Sequence, residues 1–311
     1  MQKYHIEGTE LFGYSTVKRY LYSLYMFMNT VQRICQLYNY SSVLDMRGYV
    51  AYFCNRRLKA FDTLYKVVTI HRDYISANCI LRMLGDSVAI FNLIYYMEEN
   101  EEFKWFRHAL YVLDGCEDNL KVLDNGDLNK GSMPDCEFEE YNKKLRYNQK
   151  IRQRLIYDAN YILNNLSLPQ KDKEAFDIIV SDRNWKFKEF KSYKKKGANQ
   201  YKWSEMYKMI EDSNHHDILS FISQFAHGLS MSNLVMDMNE ENRDGILSEA
   251  LVLMNKLNRC TLSLFQSKVR YIMDGLLEPQ LRDQIFACFD EEHRPSIEQW
   301  NDRVRKCVVG L

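Results

Sequence analysis

Asn78, Arg82 and Asp86 stand four residues apart in a stretch that is otherwise almost wholly apolar. Between Ile75 and Met97 the only charges are Arg82 and Asp86. A four-residue step places all three side chains on one face of a helix. Their order, base before acid, is the less favourable one for a surface pair on a helix. An enclosed guanidinium needs a partner, since removing the partner of a buried pair costs about 3–5 kcal/mol. Asp86 is the first candidate. Such a pair could line a ligand or catalytic pocket.

A second polar set lies between Asp217 and Asp237, where no charged residue occurs. Ile218, Leu219, Phe221, Ile222, Phe225, Leu229 and Leu234 describe a core helix, while Ser220, Ser223, Gln224, His227 and Ser230 form a polar stripe at helical steps. Facing the two stripes would satisfy both. The expectation is an internal cluster of Arg82, Asp86, Ser223 and His227, reached by Trp203, with Asn78 and Gln224 as further ligand-binding candidates. Hydrogen-bonded core clusters of this kind more often fix how helices dock than bind a ligand, because burial beside a charge marks function only statistically.

The chemistry this set excludes is wide. Ser223 and His227 could touch as nucleophile and base, but nothing supplies an oxyanion hole, and only Asp86 could orient the histidine. No G-x-x-x-x-G-K, G-x-G-x-x-G or G-x-S-x-G occurs. Glu211, Asp212, His215, His216 and Asp217 crowd together, yet a helix start capped by Ser213 or Asn214 accounts for them. His216 and His227 share a face but stand roughly 16 Å apart along it, too far for one ion. Asn125, Asp127 and Asn129 alternate as in a calcium loop, but Lys130 and Cys136 replace its glycine and its last glutamate. The eight cysteines are scattered without metal-ligand spacing and read as reduced thiols of the cytoplasm. No histidine follows an arginine by four to six residues, the arrangement of many helical ribonucleases of bacterial defence systems. Neither metal nor cofactor is expected.

Basic and aromatic residues interleave from Arg183 to Lys196, including Lys186, Lys188, Lys191, Tyr193 and Lys194. Single-stranded nucleic acid is gripped in this way, with charge on phosphate and rings on bases. The alternative is a solvated loop pinned by its rings, and a net charge of zero favours it.

These groups must be positioned by helices. In 311 residues there are 4 prolines and 12 glycines, too few for the frequent turns of a sandwich or barrel. Apolar residues recur at helical steps from Ser15 to Tyr38 and again from Ser42 to Val68. Further helices are predicted over 71–97, 101–113, 136–166, 203–211, 217–238 and 241–277, with two short ones flanking Pro295. Ser296 and Gln299 form a capping box for the last. Residues 114–136 read as a surface connection and 182–202 as an irregular lysine-rich stretch. The fold class is all-α: one multi-helix bundle over residues 1–311, with 114–202 as a charged insertion or subdomain. Neither a leader peptide nor a stretch apolar enough to span a bilayer is expected.

The pattern R-M-L-G-D-S…N at Arg82, Gly85, Asp86 and Asn92, with W-S-E-M-Y at Trp203 and S-F-I-S-Q-F-A-H-G ending in His227 and Gly228, resembles an uncharacterised bacterial helical family described only as a domain of unknown function. The resemblance covers about residues 70–240. The chain departs from it at Asp86, where a glutamate is expected, and at Phe221 or Phe225, where a tyrosine is usual. It implies a site at the Arg-x3-acid helix, the tryptophan and the Ser-x3-His helix, and no particular activity. Three readings follow: an intracellular helical protein whose polar cluster is structural or binds a small polar ligand; a nuclease-like or other hydrolase of a bacterial defence or stress system; and an RNA- or protein-binding module acting through residues 183–196. Self-association is compatible with each.

Overall fold

A computed structural model describes residues 14–124, 131–191, 193–194, 199–210, 215–226 and 238–309. The fold is all-α, as expected. Thirteen α-helices lie among the described residues: α1 (Thr16–Leu37), α2 (Met46–Lys66), α3 (Tyr74–Phe91), α4 (Glu101–Asp124), α5 (Asp135–Asn164), α6 (Leu168–Lys171) and α7 (Lys173–Ser181). Then come α8 (Trp203–Lys208), α9 (His215–Ala226), α10 (Glu240–Leu264), α11 (Val269–Asp274), α12 (Pro279–Phe286) and α13 (Ile297–Val309). The described residues contain no strand beyond one antiparallel bridge, Phe187 to Gln200.

The chain divides into two compact units, one of residues 1–39, 50–97 and 202–311, the other of residues 40–49 and 98–201. The second unit therefore takes in 98–113 as well as the expected insertion. The connection expected over 114–136 is replaced by helix as far as Asp124. Its Asp, Asn and Gly residues have weak helix preference, but the helix is carried into this stretch by an apolar face that includes buried Leu113 and Cys116.

In the first unit α1 packs along α10, and α3 packs against α10, α8 and α9. Ser15 caps α1 by accepting the Lys18 N–H (3.4 Å), and Asp73 caps α3 by accepting the Ser76 N–H (3.0 Å). Each of α2 and α3 closes in a π-helical turn, Val67–His71 and Asn92–Tyr96. Buried polar groups meet backbone carbonyls: the Tyr20 hydroxyl donates to Phe61 O (2.8 Å), Asn29 Nδ2 to Ile272 O (2.8 Å) and Trp300 Nε1 to Leu276 O (2.9 Å). The capping box at α13 is present, with Gln299 N–H donating to Ser296 Oγ (3.1 Å) and Ser296 N–H to Gln299 Oε1 (2.9 Å). The helix expected over 241–277 ends at Leu264 and resumes as α11 after a 3₁₀ turn at Gln266–Lys268.

One stretch, Tyr74–Tyr96, is long and apolar enough by length and composition to cross a membrane, against the expectation that none is. Its most apolar window is 67% buried among other helices, as a core helix would be.

In the second unit α4 packs along α5. Phe106 stacks on Phe176 (5.2 Å between centroids) and meets Phe187 and Phe190 from the lysine-rich stretch. Arg107 is buried and donates to Trp185 O (2.8 Å), with its guanidinium 3.8 Å from the Phe187 ring centroid. His108 is fully buried and bonds Val43 O through Nε2 (3.0 Å).

Candidate functional site

The cluster is built on α3. One turn separates Arg82 from Asp86, and the two pair through Nη1 and Oδ1. Tyr207 of α8 completes the arrangement. Its hydroxyl donates to Asp86 Oδ1 and accepts from Arg82 Nη1, so each of the three groups bonds both others. The Arg82 guanidinium also lies over the Tyr207 ring, 4.9 Å from its centroid, in cation–π geometry. Trp203, one turn earlier on α8, stacks on Tyr207, its ring 5.9 Å from that of Tyr207 and inclined by 29°. The tryptophan thus reaches the cluster through Tyr207.

Burial sets the electrostatics. The Arg82 side chain is 15% exposed and that of Asp86 32%, so the pair is only partly desolvated. Burial raises the Asp86 carboxyl above the usual carboxylate range, an effect the Tyr207 hydroxyl and Arg82 offset only in part. Burial, and then the hydrogen bond to Asp86, raise the Tyr207 phenol well above its ordinary value. The hydroxyl therefore stays protonated and acts as a donor.

Asn78 does not join. Its side chain turns back along α3 and donates to Tyr74 O (2.8 Å), the usual way for an amide to be satisfied inside a helix. Asn92, in the π turn, instead donates to Met209 O (3.2 Å) just past the end of α8, and its Oδ1 accepts from the Cys260 thiol (3.9 Å). Residues 203–209 are thus held to the α3 helix and its π turn at two places.

The expected approach of the serine-and-histidine helix to α3 is present as helix packing, since α9 packs on α3. In that contact Leu219 abuts Gly85, where an added Cβ would come within 2.4 Å of Leu219 Cδ2. Ser223 and Gln224 lie on α9, whereas His227 and Ser230 fall outside the described residues. Among the described residues the polar partner of Arg82 and Asp86 is Tyr207, which sequence reasoning missed. A signal was present, for Tyr207 ends the W-S-E-M-Y motif one helical turn after Trp203.

The lysine-rich stretch has its rings inside. Trp185, Phe187, Phe190 and Tyr193 are buried, and the Tyr193 hydroxyl donates to Asp182 Oδ2 (3.0 Å) and accepts from Asn184 Nδ2 (2.8 Å). Lys186 lies over the Trp185 ring and Lys188 over that of Tyr201. Lys191 and Lys194 are exposed. The rings that would stack on bases are core residues here, and Tyr193 is withdrawn from any such surface. Among the described residues no group of three or more His, Cys, Asp or Glu side chains comes together as a metal site would require.

No family model, curated protein or solved structure matches the chain.

Proposed function

We propose that this chain is a non-catalytic helical protein of the cytoplasm that works by binding, and that Arg82, Asp86 and Tyr207 form a lock seating α8 on α3. The observation that carries this reading is the closed bonding of the three groups through Arg82 Nη1, Asp86 Oδ1 and the Tyr207 hydroxyl, with Asn92 making a second attachment at Met209. A triad whose members bond one another across two helices acts first on the docking of those helices. The free thiols of Cys35, Cys54, Cys79, Cys116, Cys136, Cys260 and Cys288 accord with a reducing compartment. The resemblance to a helical domain of unknown function belongs to the same proposal.

Chemical denaturation of Asp86→Ala and Tyr207→Phe tests the lock. Both should unfold at lower denaturant than the parent, the alanine variant by more. Parental stability in both variants overturns the reading.

A further inference from the structure

The sequence from Lys143 to Arg154, K-K-L-R-Y-N-Q-K-I-R-Q-R, holds six basic residues and no acid, within a chain of net charge zero. It lies in the middle of α5, a 30-residue helix. At 100° per residue, Lys143, Arg146, Tyr147, Lys150, Arg154, Tyr157 and Tyr161 fall on one face. That face is the outer one: all seven are exposed, while Ala159, Ile162 and Leu163 are buried on the other side and Asp158 is buried at the edge of the stripe. The tyrosines are exposed to an unusual extent for large rings, Tyr147 at 66%, Tyr157 at 64% and Tyr161 at 54%. Among the described residues no carboxylate pairs with Lys143, Arg146 or Lys150. Arg154 pairs with Asp158 (3.0 Å) and lies 5.7 Å from the Tyr157 ring centroid, which props that ring on the surface. The stripe runs roughly 27 Å along the helix.

We propose that this outer face of α5 binds single-stranded RNA, with Lys143, Arg146 and Lys150 on phosphates and Tyr147, Tyr157 and Tyr161 stacking on bases. Unpaired cations on the same face as solvent-facing rings match the two halves of a nucleotide strand, charge for the backbone and a π surface for each base. A duplex offers only the first half, since its bases are stacked on one another. An acidic lipid surface would call for aliphatic or Trp and Phe insertion, whereas every ring of the stripe carries a polar hydroxyl. That hydroxyl can both donate to and accept from a ribose 2′-hydroxyl, which favours RNA over DNA. The inference gives the proposed binding role a partner. It uses no residue of the Arg82 lock and rests on the other unit of the chain.

The test is fluorescence anisotropy of the full chain with a labelled single-stranded RNA 15-mer of mixed sequence at low salt. Saturable binding is expected, with affinity falling as salt rises at a log–log slope of about −2 for three phosphate contacts. Lys143→Glu with Lys150→Glu should weaken it tenfold or more, and Tyr147→Ala or Tyr157→Ala roughly tenfold each. All four positions are exposed, so circular dichroism should show parental helix content and unfolding. Tyr147→Phe with Tyr157→Phe should keep single-strand binding but reduce the preference for RNA over DNA of the same sequence. The proposal is overturned by absence of RNA binding at low salt, by indifference to the charge reversals, or by equal or tighter binding of duplex DNA, single-stranded DNA or acidic phospholipid vesicles. Failure of RNA binding leaves the denaturation result for Asp86→Ala untouched, so the two proposals fail separately.

Discussion

Arg82 meets Tyr207 twice, with its guanidinium 4.9 Å from the centre of the ring and a hydrogen bond to the hydroxyl of that ring. The two contacts separate by substitution. Tyr207→Phe keeps the ring and removes the hydroxyl, and should cost about 1 kcal/mol. Asp86→Ala leaves the guanidinium without its anion. The pair is partly wet, so the loss should be about 1–2 kcal/mol, below that of a sealed pair. Arg82→Lys should restore neither contact fully, because an ammonium lacks the planar fork. Urea unfolding followed by far-ultraviolet dichroism ranks the variants, and a Tyr207→Phe loss larger than that of Asp86→Ala would contradict the assignment.

Gly85 of α3 faces Leu219 of α9 at close range. A methyl there would lie 2.4 Å from Leu219 Cδ2, closer than carbon atoms tolerate, and Leu219 is fully buried with little room to retreat. Alanine gains up to about 1 kcal/mol of helix preference over glycine, whereas overpacking costs about 1–3 kcal/mol. Gly85→Ala should therefore be destabilising on balance. Combining it with Leu219→Ala should cost less than the sum of the two single changes, because the second removes the clash. Strict additivity in a double-mutant cycle would rule this out.

Two groups give opposite pH dependences. His108 is buried neutral, and burial brings its imidazole down from 6.5 to about 4. Its unfolded form binds a proton first as pH falls, so the stabilisation present above about 6.5 is lost toward pH 4, at up to about 1.4 kcal/mol per pH unit. Asp86 runs the other way. Its raised carboxyl contributes stability at acid pH, which is lost as pH rises through the folded-state value. Denaturant midpoints from pH 4 to 8 for His108→Leu and Asp86→Asn should change slope in opposite directions relative to the parent.

Arg107 ties the lysine-rich stretch to α4 through Trp185 O and the face of Phe187. Arg107→Met keeps much of the bulk but removes the bond to the carbonyl. Trypsin should then cut after Lys186 and Lys188 sooner than in the parent, while dichroism reports the same helix content. Equal cleavage rates would show that the buried rings alone hold the stretch.

Much of this architecture was legible because apolar periodicity and caps are local. The helices at Thr16–Leu37 and Asp135–Asn164 lie within two residues of their expected bounds, and Ser296 with Gln299 marked the start of α13. Part of the cluster was legible too, for Arg82 in an apolar helix demanded an acid, and Asp86 is bonded to it. Tyr207 was not. A tyrosine on a short helix serves core or surface equally well, and only the fold brings it to residues more than 120 positions earlier in the chain. Arg107 and His108 were hidden for a related reason, because in the short amphipathic helix expected from Glu101 to Leu113 they look like its wet face until Phe187 and Val43 cover them. The stripe on α5 was readable as charge, but its exposure depended on knowing which side of the helix packs on α4.

The wide turn at Asn92–Tyr96 closes on itself through the Met97 N–H and the Asn92 carbonyl (2.8 Å), five residues apart rather than four. It carries one residue more than a regular turn would. Excising that residue would repair the local geometry yet rotate everything downstream by about 100° relative to Asn92. Asn92 contacts both Met209 and the Cys260 thiol, so the start of this turn is held in register with α8 and α10. Length variation in this part of the chain should accumulate beyond residue 97 and not within the turn.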